Sequence, residues 1–335
     1  MTPRTAWLDG DPEFLDPDTD ELDRTVGIAS VGSGSFQSRD LTRARRLHLQ
    51  DRVLINHVWY RTMHSIDPPL TADELVDAFR SEGVVVLRDV LDVGELEALG
   101  RGVERNLAHL SPIALNATRP GEPGAFIEDF RNWQRIPEYE QVIRDSSLGR
   151  VAGELMGSEE VRLFHDHLLV KEAGTLDRSP WHQDQPYYCI EGRQTVSFWI
   201  PLDPVERPST LEFVAGSHAG SWFMPRSFVK GTSMVFAEGE LDEVPDIEAD
   251  RDLWDIRGWD MEPGDAVAFN MLTLHAAGGS PRRRRAFSLR LIGDDVRYAP
   301  RPHRTSPPFD ELDDGSLEPG APMHHPLFPV IWRRE

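Results

Sequence analysis

The chain has 335 residues, 39% hydrophobic and 28% charged, and its 36 Lys and Arg against 57 Asp and Glu leave a formal charge of −21. That length buries a large core without covalent staples, the single cysteine, Cys189, removes a disulfide framework and a cysteine-ligated zinc site, and the acidic balance argues against a nucleic-acid partner. No apolar run approaches the ~18 residues of a membrane span, and the acidic start MTPRTAWLDGDPEFLDPDTDELD does not read as a signal peptide, so the expectation is a cytoplasmic protein acting on small molecules, its oligomeric state open.

Residues 1–69 read as an acidic arm, Gly- and Ser-rich from Ser30 to Ser38, followed by a helical pattern from Leu41 to Met63. Thr71 with Glu74 is a capping box and predicts a helix to about Arg80, stopped by Gly83. Val84-Val85-Val86-Leu87 then reads as a short buried strand. Two further amphipathic helices are predicted, from Val93 to Leu110 and from Ser146 to Met156, the second ended by Gly157. From about Val161 short β-branched and aromatic segments alternate with Gly, Pro and Asp: 161–171, 195–200, 211–214, 233–237, 265–271 and 285–292. Such segments predict an all-β sandwich or barrel rather than βαβ units. The Pro-rich stretch 297–335 carries few strand signals and is expected to wrap the body through Phe328, Ile331 and Trp332. The expected plan is an arm and helix at 1–69, a β-core with flanking helices at 70–296 and a tail at 297–335.

The sharpest local signal is Trp181-His182-Gln183-Asp184. Strand positions two apart share a face, so His182 and Asp184 could stand side by side around a metal. His275, expected where an apolar strand from Ala268 ends ahead of Gly278-Gly279, is the best candidate for a third ligand. Two imidazoles and one carboxylate form the facial triad of non-heme Fe(II), with three positions open. Alone, a His-x-Asp is more often a surface ion pair; the distant histidine and the arginine run after it tip the balance. In Arg282-Arg283-Arg284-Arg285-Ala286-Phe287-Ser288-Leu289-Arg290-Leu291 a period of two puts Arg284, Ala286, Ser288 and Arg290 on one face and Phe287, Leu289 and Leu291 on the other. A planar guanidinium matches a carboxylate. Arg284 is therefore expected to clamp a dicarboxylate, with Ser288 adding a hydroxyl and Arg290 as the fallback. Arg282, Arg283 and Arg285 are expected to face solvent.

Together with His167-Leu168-Leu169-Val170-Lys171, Trp199-Ile200-Pro201-Leu202-Asp203, the run from Leu211 to His218 and Pro263-Gly264-Asp265, these pieces resemble the phytanoyl-CoA dioxygenase family of Fe(II)/2-oxoglutarate oxygenases, from about residue 70 to 295. The resemblance implies an all-β core with flanking helices, the double-stranded β-helix or cupin-like jelly roll. It implies iron on His182, Asp184 and His275, the distal carboxylate of 2-oxoglutarate on Arg284, and His165, His167, Lys171 and Trp199 beside the cosubstrate. Satisfied strand histidines and a core aromatic are the plain alternatives for those last positions.

The activity implied is a dioxygenase using O2, supported by ascorbate, that hydroxylates a C–H bond of a small molecule with release of succinate and CO2. Asp184 stands where related halogenases carry a small residue, which favours hydroxylation or desaturation over halogenation. Gln185, Tyr187, Tyr188 and Arg131 are candidates for the substrate side, although for Arg131 a structural ion pair is the favoured reading. His218 reads as a loop-fixing residue and His324-His325 as tail. Two alternatives stand beside this reading: a jelly-roll binding protein without turnover, and a metal-dependent cupin enzyme that does not use 2-oxoglutarate. A nucleic-acid demethylase is disfavoured by the charge.

Overall fold

Capping and stop signals decide where the helices of this chain begin and end. The computed structural model describes residues 71–118, 121, 123–175, 178–225 and 241–335. The 1–69 arm, the helix expected from Leu41 to Met63 and the strand expected at 233–237 lie outside the described residues. Helix α1 (Ala72–Glu82) opens on the Thr71/Glu74 capping box and closes on Gly83, whose φ of 75° is left-handed. Helix α2 (Val93–Ala108) opens on a second capping box, Asp92 with Glu95. Helix α3 (Pro137–Asp145), absent from the sequence reading, starts on a proline at its first position, where a missing N–H costs nothing. Helix α4 (Leu148–Met156) stops at left-handed Gly157, as expected.

The strands follow as β1 (Val84–Leu87), β2 (Leu115–Asn116), β3 (Phe126–Phe130), β4 (Glu160–Lys171), β5 (Ser179–His182), β6 (Ile190–Glu191) and β7 (Thr195–Pro201). After them come β8 (Leu211–Val214), β9 (Ile256–Arg257), β10 (Ala266–Phe269), β11 (His275–Ala277), β12 (Arg284–Ile292), β13 (Arg297–Tyr298) and β14 (Val330–Arg333). One sheet runs β1-β10-β7-β12-β4-β3-β2, with β14 also paired to β4, and a second runs β5-β11-β8-β9. The pairings are antiparallel.

Period-two alternation divides the large sheet into two chemically different faces. Phe287, Leu289 and Leu291 of β12, with Leu168, Val170, Phe198 and Ile200, pack against helix residues such as Leu99, Val103, Tyr139 and Leu155. On the opposite face Trp199, Val267, Phe269 and Ala286 join Leu211, Phe213 and Ala277 of the smaller sheet in one buried cluster. Two antiparallel sheets sharing an interior, with helices on the outer face of one, form the expected double-stranded β-helix.

The tail, expected to wrap the body with few strand signals, also adds a strand to the large sheet. Val330–Arg333 pairs with the start of β4, and Phe309, Leu312 and Phe328 pack with Phe164, Tyr187, Tyr188 and Ile190. A four-residue strand behind Pro329, whose partner lies far away in sequence, leaves almost no local signal. Among the described residues no helix is long and apolar enough to cross a membrane.

Candidate metal centre

Two turns bring the candidate ligands together, and neither is the plain strand the sequence suggested. β5 ends at His182, and Asp184 has φ −73° and ψ −45°, opening a 3-10 turn over Gln185–Tyr187. Asp184 is therefore not aimed by a strand face shared with His182. His275 likewise begins β11 rather than ending the preceding strand, which stops at Phe269. A turn over 270–274 intervenes and holds the motif in place. Asp184 N–H and Gln185 N–H both donate to Met271 O at 2.9 Å, and Gln183 Nε2 donates to Leu272 O at 2.8 Å. The same turn is tied to the helix stop: Asn270 N–H and Thr273 Oγ1 donate to Gly83 O at 2.9 and 2.8 Å. A Cβ on Gly83 would collide with His218 and Thr273, so a left-handed, side-chain-free residue is needed there for two reasons. His218, whose Nε2 lies 3.2 Å from Arg80 O, takes the loop-fixing place expected of it.

The donor atoms of His182, Asp184 and His275 lie within 4.8 Å of one another. Asp184 Oδ1 stands 3.7 Å from His182 Nε2 and 3.6 Å from His275 Nε2. Adjacent donors of a first-row ion ligated at about 2.1 Å stand ~3 Å apart, so a small inward movement completes the geometry. The imidazoles are oriented for this. His182 Nδ1 contacts Pro180 O at 2.8 Å and His275 Nδ1 contacts Thr273 O at 2.9 Å. A carbonyl only accepts, so each Nδ1 carries the proton and each Nε2 turns its lone pair to Asp184. Burial, then the neighbouring imidazole, pushes His182 down to about 3, and burial also lowers His275. Burial alone would raise the Asp184 carboxyl, but Arg290 and the two imidazoles hold it well below the usual carboxylate range. Two neutral imidazoles and one carboxylate fit a divalent Fe, Mn or Co ion.

Register places the remaining candidates in rows on the inner face of the large sheet. His165, Arg290, Ser197 and Phe269 are neighbours in one row, and His167, Ser288, Trp199 and Val267 in the next. Lys171 stands opposite Arg284 at the far end. Arg284 is 5% exposed; Nη1 donates to Ser209 O, and the guanidinium carbon is 5.8 Å from the Trp199 ring. Among the described residues no carboxylate pairs with it, and burial lowers it to about 10. Lys171, 1% exposed, donates to Gly278 O at 3.1 Å and lies 4.9 Å from the Phe126 ring. Arg290 is differently placed, with Nη2 3.2 Å from Asp184 Oδ2. His167 stacks on Phe130 at 4.0 Å and its Nε2 is 3.2 Å from Glu128 Oε1.

Two residues of this neighbourhood escaped the sequence reading. Ser197 Oγ lies 3.3 Å from Asp184 Oδ2, and its position two before Trp199 was the available signal. Glu128 sits in a strand that composition did not reveal. Of the substrate-side candidates, Tyr188 is buried with its ring edge-on to His165 at 5.1 Å, and Tyr187 meets the His182 ring edge-on at 6.0 Å. Gln185 is buried and donates to Gly192 O at 2.9 Å.

Arg131 takes the structural ion pair that the sequence favoured for it: Nη2 pairs with Glu311 Oε1 and Nη1 donates to Pro308 O, both at 2.5 Å, with Phe309 under the guanidinium. It fastens the tail. Arg285 is corrected, since it forms a half-buried fork on Asp203 and reaches Glu104. Arg282 is exposed, as expected.

The Phytanoyl-CoA dioxygenase (PhyH) family model matches residues 79–286. No curated protein matches the chain. Among solved structures it is similar to the non-heme alpha ketoglutarate dependent carbocyclase SnoK from nogalamycin biosynthesis, at 22% identity and a TM-score of 0.59 over 79% of this chain and 99% of that one. It is similar to the epimerase SnoN of the same biosynthesis, at 22% identity and 0.60 over 78% and 98%. A third similar structure is EctD from S. alaskensis with 2-oxoglutarate and 5-hydroxyectoine, at 22% and 0.51 over 68% and 78%. At these identities the likeness is one of fold.

Proposed function

The chain belongs to the phytanoyl-CoA dioxygenase family, and from that premise we propose that it is an Fe(II)/2-oxoglutarate-dependent dioxygenase hydroxylating a C–H bond of a small organic substrate. The observation that carries the reading is the convergence of His182, Asp184 and His275 at one end of a strip whose other end presents Arg284, buried and without a carboxylate among the described residues. An uncompensated buried cation is costly, and the distal carboxylate of a dicarboxylic acid would relieve it. In this reading His182, Asp184 and His275 hold Fe(II) and Arg284 with Ser288 orients 2-oxoglutarate. Lys171, His165, His167 and Trp199 wall the cosubstrate from water, and Gln185, Tyr187 and Tyr188 stand toward the substrate.

The chemistry supplied by the bound metal and cosubstrate is oxidative decarboxylation, giving succinate and CO2 while O2 oxidises the substrate. The protein contributes ligand geometry, a neutral pair of imidazoles and a closed interior. Ascorbate would keep the metal reduced. The single buried cysteine suits a reducing cytoplasm.

The test is succinate release from 2-oxoglutarate by protein supplied with Fe(II), ascorbate and candidate substrates. Asp184→Ala should abolish it, and undiminished turnover in that variant would overturn the ligand assignment. Product mass then separates outcomes: an added oxygen atom marks hydroxylation, loss of two hydrogens desaturation or ring closure, and unchanged mass epimerisation.

A further inference from the structure

Asp184 offers two oxygens, and their surroundings differ. Oδ1 faces both imidazole Nε2 atoms at 3.6 and 3.7 Å. Oδ2 accepts from Arg290 Nη2 at 3.2 Å and from Ser197 Oγ at 3.3 Å. Arg290 and Ser197 are register partners on β12 and β7, 5% and 0% exposed. The donors therefore come from the most deeply buried part of the large sheet, while Asp184 comes from a turn outside it.

We propose that Arg290 and Ser197 form a clamp that reserves Oδ2, so that Asp184 ligates the metal through Oδ1 alone and three coordination positions stay open. They are positioning residues, acting through Asp184. The inference rests on the metal-centre reading above. A carboxylate oxygen has two lone pairs, and both are directed at donors from the sheet; chelation through both oxygens would break these hydrogen bonds inside a dry interior, where each is worth most. A second ligating oxygen would also take one of the positions that a bidentate 2-oxo acid and O2 together require. The guanidinium compensates the buried carboxylate, and cross-strand pairing fixes both donors as a unit.

The test uses Co(II) in place of iron, with its visible absorption reporting coordination and 2-oxoglutarate added as a second titrant. Ser197→Ala removes one donor at nearly constant volume, Arg290→Met removes the other, and Arg290→Lys returns one donor and the charge. The expected result is an altered Co(II) spectrum in Arg290→Met before 2-oxoglutarate is added, with affinity for 2-oxoglutarate weakened ~10-fold or more, in the range found for groups that orient metal ligands. Ser197→Ala should shift both readouts in the same direction and Arg290→Lys should recover part of the loss.

Melting of the metal-free proteins separates this from mere destabilisation. Unchanged spectra and affinities in Ser197→Ala and Arg290→Met, or changes that only track the metal-free melting midpoint, would overturn the clamp. If Arg290→Met does not fold, Ser197→Ala alone decides by the same criteria. Loss of Co(II) binding in His275→Ala under those results would leave the metal centre standing without the clamp. Absence of Co(II) binding in the unmodified protein would overturn both.

Discussion

Arg284 is buried against the Ser209 carbonyl, whereas Arg290 on the same strand face lies against the Asp184 carboxylate. Arg290 keeps Nε and Nη1 buried without a hydrogen-bond partner, but in the reading proposed above it is Arg284, with no carboxylate beside it among the described residues, that offers its charge to an incoming dicarboxylate. Arg284→Ala should raise the KM for 2-oxoglutarate ~10- to 100-fold, since hydrogen bonds to a charged group are worth about 1.5–3 kcal/mol. It should leave thermal stability nearly unchanged, because a single carbonyl loses its partner; steady-state succinate kinetics and a melting curve check both. The inward placement of Arg284, Ser288 and Arg290 was legible in the period-two pattern. Which arginine was already neutralised was not, because Asp184 lies over a hundred positions away in sequence. The triad was legible in residue identity, although for a reason that proved incomplete: a turn pinned to Met271 O aims Asp184, not a shared strand face. For Arg131 the ion pair was the favoured reading but its partner was not legible, because Glu311 belongs to a tail whose path leaves no pattern in the sequence.

Strands and helices raise separate expectations. Asp166 on β4 accepts the N–H groups of Asn132 and Trp133 at 2.9 and 3.0 Å and ties down the segment that follows β3. Burial, opposed by those hydrogen bonds and reinforced by nearby Asp129, pushes its carboxyl up to about 6 from 3.8. The folded chain thus binds this proton more tightly than the unfolded chain does. The stability contributed by this group is full below about 4 and falls as pH rises through about 6. Asp166→Asn should remove that segment of the pH dependence, changing the difference in unfolding free energy across this window by about 1–3 kcal/mol, as measured by urea titrations at either end.

Where α4 meets β14, a Cβ on Gly153 would collide with the Trp332 ring. Gly153→Ala should therefore destabilise by about 1–3 kcal/mol through overpacking, and Gly153→Ala combined with Trp332→Leu should recover part of it. α1 and α4 could be read from a cap or a stop and α2 from its amphipathic pattern, because those signals are local. β2, β3 and β14 could not, being two to five residues long and stabilised by partners remote in sequence.

For the molecule as a whole, the last forty or so residues are a structural wall rather than an appendage. Phe328, fully buried with Phe164, Phe309 and Tyr188, should cost about 3–5 kcal/mol when replaced by Ala, visible as an earlier melting transition. A chain cut after residue 296 should lose cooperative melting altogether. Metal should act in the opposite direction: a divalent ion at a hundredfold excess over its Kd stabilises by about 2.7 kcal/mol, so a chelator should lower the melting midpoint of the unmodified protein and leave that of His275→Ala unmoved. The acidic net charge and absence of a membrane-spanning pattern were whole-chain properties available at once from composition. That the tail wraps the body was expected from Phe328, Ile331 and Trp332, but the closure made by its pairing with β4 was not.

That closure sets a schedule for biosynthesis. β4 pairs through its first residues with Val330–Arg333, so while the ribosome is still translating, a long strand at the heart of the enzyme waits with part of its edge bare. The candidate metal-ligand turn rests beside an aromatic seal that arrives late. Stalled translation or early proteolysis near this end would release a chain with all three candidate metal ligands but an unfinished barrel, a species that quality-control machinery should recognise and remove.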